Sequence, residues 1–171
     1  MDQYFLLIDL DRCYGCLNCQ VACKQENNLE LGINRIEITT FEYEDSDRLH
    51  VFFIPTLCMH CKTMPCSILC PVKAIIKTPE NAVIIDKDKC IGCGYCTWVC
   101  PYGVIQLNFR EGTAEKCTMC LHRLRNCQEP SCSAQCPTKA IIFASKEEMM
   151  KLTEGKWAKY FKYHSVAYVK K

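Results

Sequence analysis

The sequence predicts an α+β fold in which short strands and helices gather around metal centres instead of around a large apolar core. Three observations predict it. Seventeen of the 171 residues are cysteine, far above ordinary usage. Sixteen of them form four clusters stepped mostly by three residues. Finally, one unit recurs: Cys70-Pro71-Val72-Lys73-Ala74-Ile75-Ile76 matches Cys136-Pro137-Thr138-Lys139-Ala140-Ile141-Ile142, and Cys100-Pro101-Tyr102-Gly103-Val104-Ile105 is a looser copy. Each unit is a cysteine loop followed by a short strand. Such a strand cannot bury enough apolar surface alone, so bound metal must stand in for core and folding should depend on it.

The third cluster defines the chemistry. Cys90, Cys93, Cys96 and Cys100 followed by Pro101 spell C-x2-C-x2-C-x3-C-P, the run that binds a 4Fe-4S cluster and sends its fourth cysteine to a neighbouring one. Gly92 and Gly94 leave room for backbone near the sulfides. Pro101 turns the chain away, carrying Cys100 toward the second cluster.

In chain order, Tyr4 to Leu10 reads as a short buried strand leading into the first metal loop. Motif one, Cys13, Cys16, Cys19 and Cys23, has the same spacing with Lys24 in place of proline. Gln25 to Leu31 reads as a polar helical turn ended by Gly32, and Arg35 to Tyr43 as an exposed strand. Glu42 to Arg48 reads as a solvated turn, and Val51 to Ile54 as a strand ending at Pro55. Motif two is Cys58, Cys61, Cys66 and Cys70 with Pro71, and Met64 and Pro65 lie in a two-residue insertion before its third cysteine. His60 sits inside this loop, but four cysteines already satisfy a cubane, and histidine replaces cysteine mainly in Rieske-type centres. Ala74 to Lys77 and Ala82 to Asp86, joined by Thr78-Pro79-Glu80-Asn81, signal a β-hairpin that delivers the chain to motif three.

Motif four, Cys117, Cys120, Cys132 and Cys136 with Pro137, also fits a zinc ribbon when read alone. Its Cys-Pro-Thr-Lys-Ala-Ile-Ile repeat ties it to motif two and to iron. The interior, Leu121 to Pro130, reads as a basic turn that docks a partner, tunes a cluster or simply compensates charge on a solvated loop. Cys127 has no place in the four-by-four pattern and reads as a free thiol. Ser145-Lys146-Glu147-Glu148 is a capping-box start for a helix through Leu152, ended by Thr153-Glu154-Gly155. In the tail, Trp157, Tyr160, Phe161, Tyr163 and Tyr168 read as a strand covering the fold, with partner contact as the second reading.

Several classes are disfavoured. A disulfide scaffold wants an oxidising compartment and scattered cysteines, whereas these cluster and no signal peptide precedes residue 13. With no twin-arginine signal either, a cytoplasmic location is expected, or export with a signal-bearing partner. No apolar run is long enough to span a bilayer. The formal charge is +2. Sixteen thiolates on four oxidised cubanes take the loaded chain to roughly −6. Nucleic-acid binding has little support at that charge.

The order of the four motifs resembles the four-cluster ferredoxin-type electron-transfer subunit of the dimethyl sulfoxide reductase family of molybdenum and tungsten enzymes. The likeness covers residues 4 to about 145 and includes Cys19-Gln20-Val21-Ala22-Cys23-Lys24-Gln25-Glu26-Asn27 and Gly32-Ile33-Asn34-Arg35. Similar subunits serve tungsten aldehyde oxidoreductases, hydrogenases and carbon monoxide dehydrogenases. The resemblance implies four 4Fe-4S clusters in two ferredoxin-like lobes. Cluster one takes Cys13, Cys16, Cys19 and Cys136, and cluster two takes Cys58, Cys61, Cys66 and Cys100. Cluster three takes Cys90, Cys93, Cys96 and Cys70, and cluster four takes Cys117, Cys120, Cys132 and Cys23. Residues 1–57 with 110–145 then form an outer lobe, 58–109 a central lobe, and 146–171 a C-terminal extension. Some relatives hold a 3Fe-4S centre where tryptophan replaces a motif-three cysteine; here all four cysteines are present, and Trp98 lies in the x3 gap.

No nucleophile with a base and no paired acid and base is evident, so no substrate chemistry is expected. The expected function is an electron relay between a large molybdenum- or tungsten-pterin catalytic subunit and a membrane quinone subunit, a flavoprotein or a ferredoxin. A free polyferredoxin carrier shares every motif and is the alternative. A redox or iron sensor lacks a visible effector element.

Overall fold

An apolar run with four consecutive buried residues forms β1 (Tyr4–Asp9). The computed structural model describes residues 4–46, 48–152 and 164–170, and there β1 is the middle strand of a three-stranded sheet. It pairs antiparallel with β8 (Ile141–Ser145), with Leu6 opposite Phe143, and parallel with β9 (Val166–Val169), with Leu6 opposite Val166. Successive side chains point to opposite faces of a strand. Phe5 and Leu7 pack with Ala144, Met149 and Ala167, while Leu6 and Ile8 enter the main core beside Cys19, Cys23 and Cys136. Burial on both faces explains why the run is continuously apolar.

Three hairpins complete the strands. β2 (Ile36–Asp45) pairs with β3 (Arg48–Leu57), β4 (Ile75–Lys77) with β5 (Val83–Ile85), and β6 (Gln106–Asn108) with β7 (Thr113–Glu115). The β4–β5 hairpin stands where the sequence predicts it, with Asn81 at φ 71° in the turn. The β6–β7 hairpin runs across the boundary drawn between residues 109 and 110, and Ala114 packs with Ile75, Val83 and Ile105.

Helices are short and start inside the cysteine motifs: α1 (Asn18–Asn27), α2 (Pro65–Ile68), α3 (Tyr95–Val99), α4 (Leu121–Arg125) and α5 (Ser131–Ala134). The last among the described residues, α6 (Lys146–Leu152), begins at the predicted capping box: Glu148 N–H donates to Ser145 Oγ at 3.3 Å, and Ser145 N–H to Glu148 Oε2 at 2.8 Å. The end proposed at Thr153–Gly155 and the aromatic residues Trp157, Tyr160, Phe161 and Tyr163 lie outside the described residues. Tyr168 lies in β9, where its hydroxyl donates to Pro55 O at 2.7 Å.

Three local expectations are corrected. The helix expected from Gln25 starts at Asn18, because Cys19 and Cys23 sit four residues apart on one buried face, and it stops at Asn28 in the left-handed conformation, ahead of Gly32. The turn expected over Glu42 to Arg48 shrinks to the tip of a hairpin with ten residues per strand, since stacking of Phe41 on Phe52 and Tyr43 on His50 holds the exposed ends together. The strand expected to end at Pro55 runs through it to Leu57. A two-stranded ribbon has only edge strands, so proline is tolerated there.

Candidate metal centres

The cysteine turns repeat in three dimensions. After Cys70, Lys73 N–H donates to Cys70 O and Ala74 N–H to Cys70 Sγ, at 3.2 and 3.3 Å. After Cys136, Lys139 and Ala140 make the same two bonds, both at 3.2 Å. After Cys100, Gly103 N–H donates to Cys100 O at 3.1 Å. Lys73, Lys139 and Gly103 have φ of 51°, 52° and 62°, so the repeat encodes a tight left-handed turn that aims an N–H at the sulfur. Just upstream, Ser67 and Ser133 hydroxyls donate to the carbonyls of Ile75 and Ile141, fastening each turn to its following strand.

The thiols meet in four groups. Cys13, Cys16, Cys19 and Cys136 line one cavity with about 320 Å³ of unfilled space, partly open to solvent. Cys58, Cys61, Cys66 and Cys100 line a second of about 350 Å³. Cys70, Cys90, Cys93 and Cys96 line a third of about 330 Å³. Cys117, Cys120 and Cys23 are mutual electrostatic neighbours of Cys132 and make the fourth group. Cys127 is exposed and belongs to none of these groups.

Burial dominates the thiol chemistry. It pushes Cys19 up to about 12, helped by Cys13, Cys136 and Cys16. It pushes Cys23, Cys61 and Cys96 up to about 11, and it raises Cys117 and Cys132 as well. The buried thiols of each quartet, Cys19, Cys61, Cys96 and Cys132 among them, thus favour the neutral form until a cation draws off their protons. Backbone donors stand ready for the sulfur charge: besides the two alanines, Ala114 N–H reaches Cys90 Sγ at 3.4 Å and Met119 N–H reaches Cys117 Sγ at 3.3 Å. Gly92 is required by close approach: at φ +64°, an added Cβ meets the Gly112 carbonyl oxygen at 2.4 Å.

Two cations, Lys116 buried and Arg35 half-buried, escaped the motif reading. Lys116 is 2% exposed and hydrogen-bonds to Val83 O, to Cys117 O at 3.0 Å and to Cys58 Sγ at 3.6 Å. Its available signal was its place directly before Cys117. Arg35 grips Glu115 Oε2 through Nε at 3.1 Å and Nη2 at 2.8 Å, and donates to Asn27 Oδ1 at 2.7 Å. Asn27 Nδ2 in turn lies 3.6 Å from Cys23 Sγ. Among the described residues Lys116 has no carboxylate partner, and a buried lysine facing sulfur fits an anionic iron-sulfur group beside it.

His60 is fully buried, and its Nδ1 accepts the Val83 N–H at 2.8 Å, so Nε2 carries the proton. Nε2 has no partner among the described residues. Burial, then Lys116 and Lys77, lower its basicity and keep the ring neutral. The basic segment after Cys120 is a helix whose side chains are partnered within the chain: His122 and Arg123 both meet Glu26 at 2.7 Å, and Arg125 meets Glu80 at 3.1 Å.

A family model described as a 4Fe-4S dicluster domain matches residues 49–146. The chain belongs to this dicluster family. Relatives are similar over most of its length. The thiosulfate reductase electron transfer subunit of Salmonella typhi is 38% identical over 86% of this chain and 78% of its own. A tetrathionate reductase subunit of Archaeoglobus fulgidus is 43% identical over 72% of this chain and 58% of its own. The formate dehydrogenase iron-sulfur subunit of Haemophilus influenzae is 38% identical over 84% of this chain and 52% of its own. The chain thus spans between about half and four-fifths of the length of these relatives. Cluster binding of the 4Fe-4S type is the chemistry of this dicluster protein. Among the described residues no helix is long and apolar enough to cross a membrane.

Proposed function

We propose that this chain is the non-catalytic electron-relay subunit of an oxidoreductase complex and holds four 4Fe-4S clusters. The ligand sets are Cys13, Cys16, Cys19 and Cys136; Cys58, Cys61, Cys66 and Cys100; Cys70, Cys90, Cys93 and Cys96; and Cys23, Cys117, Cys120 and Cys132. Clusters at these sites take up and release single electrons, carrying charge between redox centres too far apart for direct exchange.

One observation carries the reading: the quartets abut in series. Cys132 of the fourth site is within electrostatic reach of Cys19 of the first, Cys117 of the fourth is within reach of Cys58 of the second, and Cys96 of the third is within reach of Cys66 of the second. The order is therefore one, four, two, three. Cys16 at one end and Cys93 at the other are exposed, while the fourth quartet is buried throughout. Exposed Tyr14, Leu17 and Val21 accompany Cys16, and exposed Ile91, Tyr95 and Trp98 accompany Cys93, with Trp98 87% exposed. Aromatic and apolar groups at both ends suit two docking partners.

The relatives named as subunits of tetrathionate reductase, thiosulfate reductase and formate dehydrogenase support a molybdenum- or tungsten-pterin catalytic subunit at one end. A membrane quinone subunit, a flavoprotein or a ferredoxin takes the other. The first and fourth sites form an outer ferredoxin-like lobe from both parts of the chain, and the second and third a central lobe that extends to Glu115. The complex is cytoplasmic, or exported with a signal-bearing partner. Anaerobic purification of a tagged copy from its native host tests this. A stoichiometric large subunit carrying molybdenum or tungsten, with about sixteen irons on this chain, is expected. Full iron with no partner and no pterin metal overturns the subunit assignment in favour of a free polyferredoxin, and a nickel-bearing partner points to a hydrogenase or carbon monoxide dehydrogenase complex.

A further inference from the structure

We infer that Lys116 is a charge bridge between the second and fourth sites, raising the potentials of the two central clusters and so setting the middle step of the relay. The inference rests on the four-site reading above. Its backbone belongs to the fourth site, since Cys117 follows it directly, while its ammonium head reaches the second site at Cys58 Sγ, 3.6 Å away. The head has three acceptors, Val83 O, Cys117 O and Cys58 Sγ, one for each N–H of an ammonium group. A neutral amine has only two donors and turns its lone pair on an acceptor. Three acceptors at one buried nitrogen therefore select the charged form.

That charge has no carboxylate of its own. Among the described residues Lys116 makes no ion pair with Asp or Glu. Its chain neighbour Glu115 is engaged by Arg35 and Lys87. A buried ammonium is costly unless compensated; the Cys58 sulfur of the second site is the negative group its head touches, and the Cys117 carbonyl it also holds ties it to the first ligand residue of the fourth. The second site is further organised around this head, because the same residue that accepts from it, Val83, gives its N–H to His60. A fixed positive charge stabilises whichever neighbouring group gains an electron. It therefore favours the reduced form at sites two and four and has little effect on the outer sites, which are farther away and more solvated.

The test is an EPR-monitored potentiometric titration of the full iron-loaded chain as wild type, Lys116→Met and Lys116→Arg, with iron counted in each. In Lys116→Met two of the four midpoint potentials should fall by at least tenfold in the reduction equilibrium constant, about 59 mV for one electron, while the other two stay. Lys116→Arg should keep all four near wild type. Full iron in Lys116→Met with four unchanged potentials, or one common shift of all four, overturns the inference. Should Lys116→Met lose iron, the wild-type protein labelled with ¹⁵N at the lysine Nζ alone decides: pulsed EPR must show that nitrogen coupled to a reduced cluster, and no coupling overturns the bridge. Iron well below sixteen in the wild type defeats the four-site reading itself, a separate outcome.

Discussion

Replacing Cys136 by alanine distinguishes ligation across the chain from ligation within a motif. In the structure Cys136 lines a cavity with Cys13, Cys16 and Cys19, although motif four also contains Cys117, Cys120 and Cys132. Each site accounts for about four of roughly sixteen irons, so Cys136→Ala alone should leave about twelve. Double variants decide which site it served, since two changes at one site do not add while changes at separate sites do. Cys13→Ala with Cys136→Ala removes two ligands of the same quartet and should still leave about twelve irons. Cys132→Ala with Cys136→Ala strikes two quartets and should leave about eight. If only one iron leaves each damaged cubane, the additivity pattern is unchanged. Iron and sulfide per chain, with spin integration after reduction, give the answer. The opposite pattern, about eight irons for the first pair and about twelve for the second, refutes cross-ligation.

Three further perturbations follow from the geometry. Arg35→Met leaves Glu115, 4% exposed, with only half-exposed Lys87, and breaking a buried pair this way costs about 3–5 kcal/mol; cluster bleaching under a chelator should accelerate markedly, and an unchanged half-life refutes that stabilising role. Gly92→Ala forces a Cβ to 2.4 Å from the Gly112 oxygen and should cost the third site its iron, whereas Gly103→Ala, with nothing within 4 Å, should cost only ~1–2 kcal/mol and keep it. In the metal-free chain, burial raises Cys23, Cys61 and Cys96 from 9.0 to about 11. A raised folded value gives stability that is complete below about pH 9 and is lost as pH climbs through about 11. Binding of a hydrophobic dye should therefore rise across that window in the metal-free protein and stay flat in the loaded one, whose thiolates already bind iron.

The cysteine turns, β1, the β4–β5 hairpin and the capping box of α6 were legible because each depends on neighbours in sequence: triplet spacing, an apolar run, turn residues flanked by β-formers, and Ser followed three residues later by Glu. What was not legible depends on residues far apart. The β2–β3 ribbon extends through its charged segment because Tyr43 and His50 stack across the hairpin, and only the paired register sets them opposite each other. The basic segment after Cys120 leaves partner docking, cluster tuning and charge compensation equally open until Glu26 and Glu80 are brought beside it. Lys116 reads as one more lysine among twenty-one basic residues, and only folding places Val83 and Cys58 around its head. Cys19 and Cys23 concealed the start of α1, since a cysteine motif read for metal spacing hides its helical i, i+4 face.

The two ends of the cysteine series are built on corners of the same design, and that explains why the outer unit needs both parts of the chain. Asp86, four residues before Cys90, gives its N–H to Ala74 O at 2.8 Å, and Ala74 N–H holds Cys70 Sγ. Asp9, four residues before Cys13, gives its N–H to Ala140 O at 2.8 Å, and Ala140 N–H holds Cys136 Sγ. In both corners the aspartate carboxylate also accepts from the N–H two residues on and pairs with the cation three residues on, Lys89 or Arg12. A single alanine thus joins the strand that enters a three-cysteine loop to the turn that presents the fourth sulfur. In the central copy the two halves are linked by a short hairpin and meet cheaply, because closing a small loop costs little entropy. In the outer copy they stand more than a hundred residues apart, and β1 must find β8 before Cys136 can face Cys13. The sheet, with β9 added on the far edge of β1, therefore does for the outer corner what chain connectivity does for the central one. Weakening it should release iron from the first site before the third.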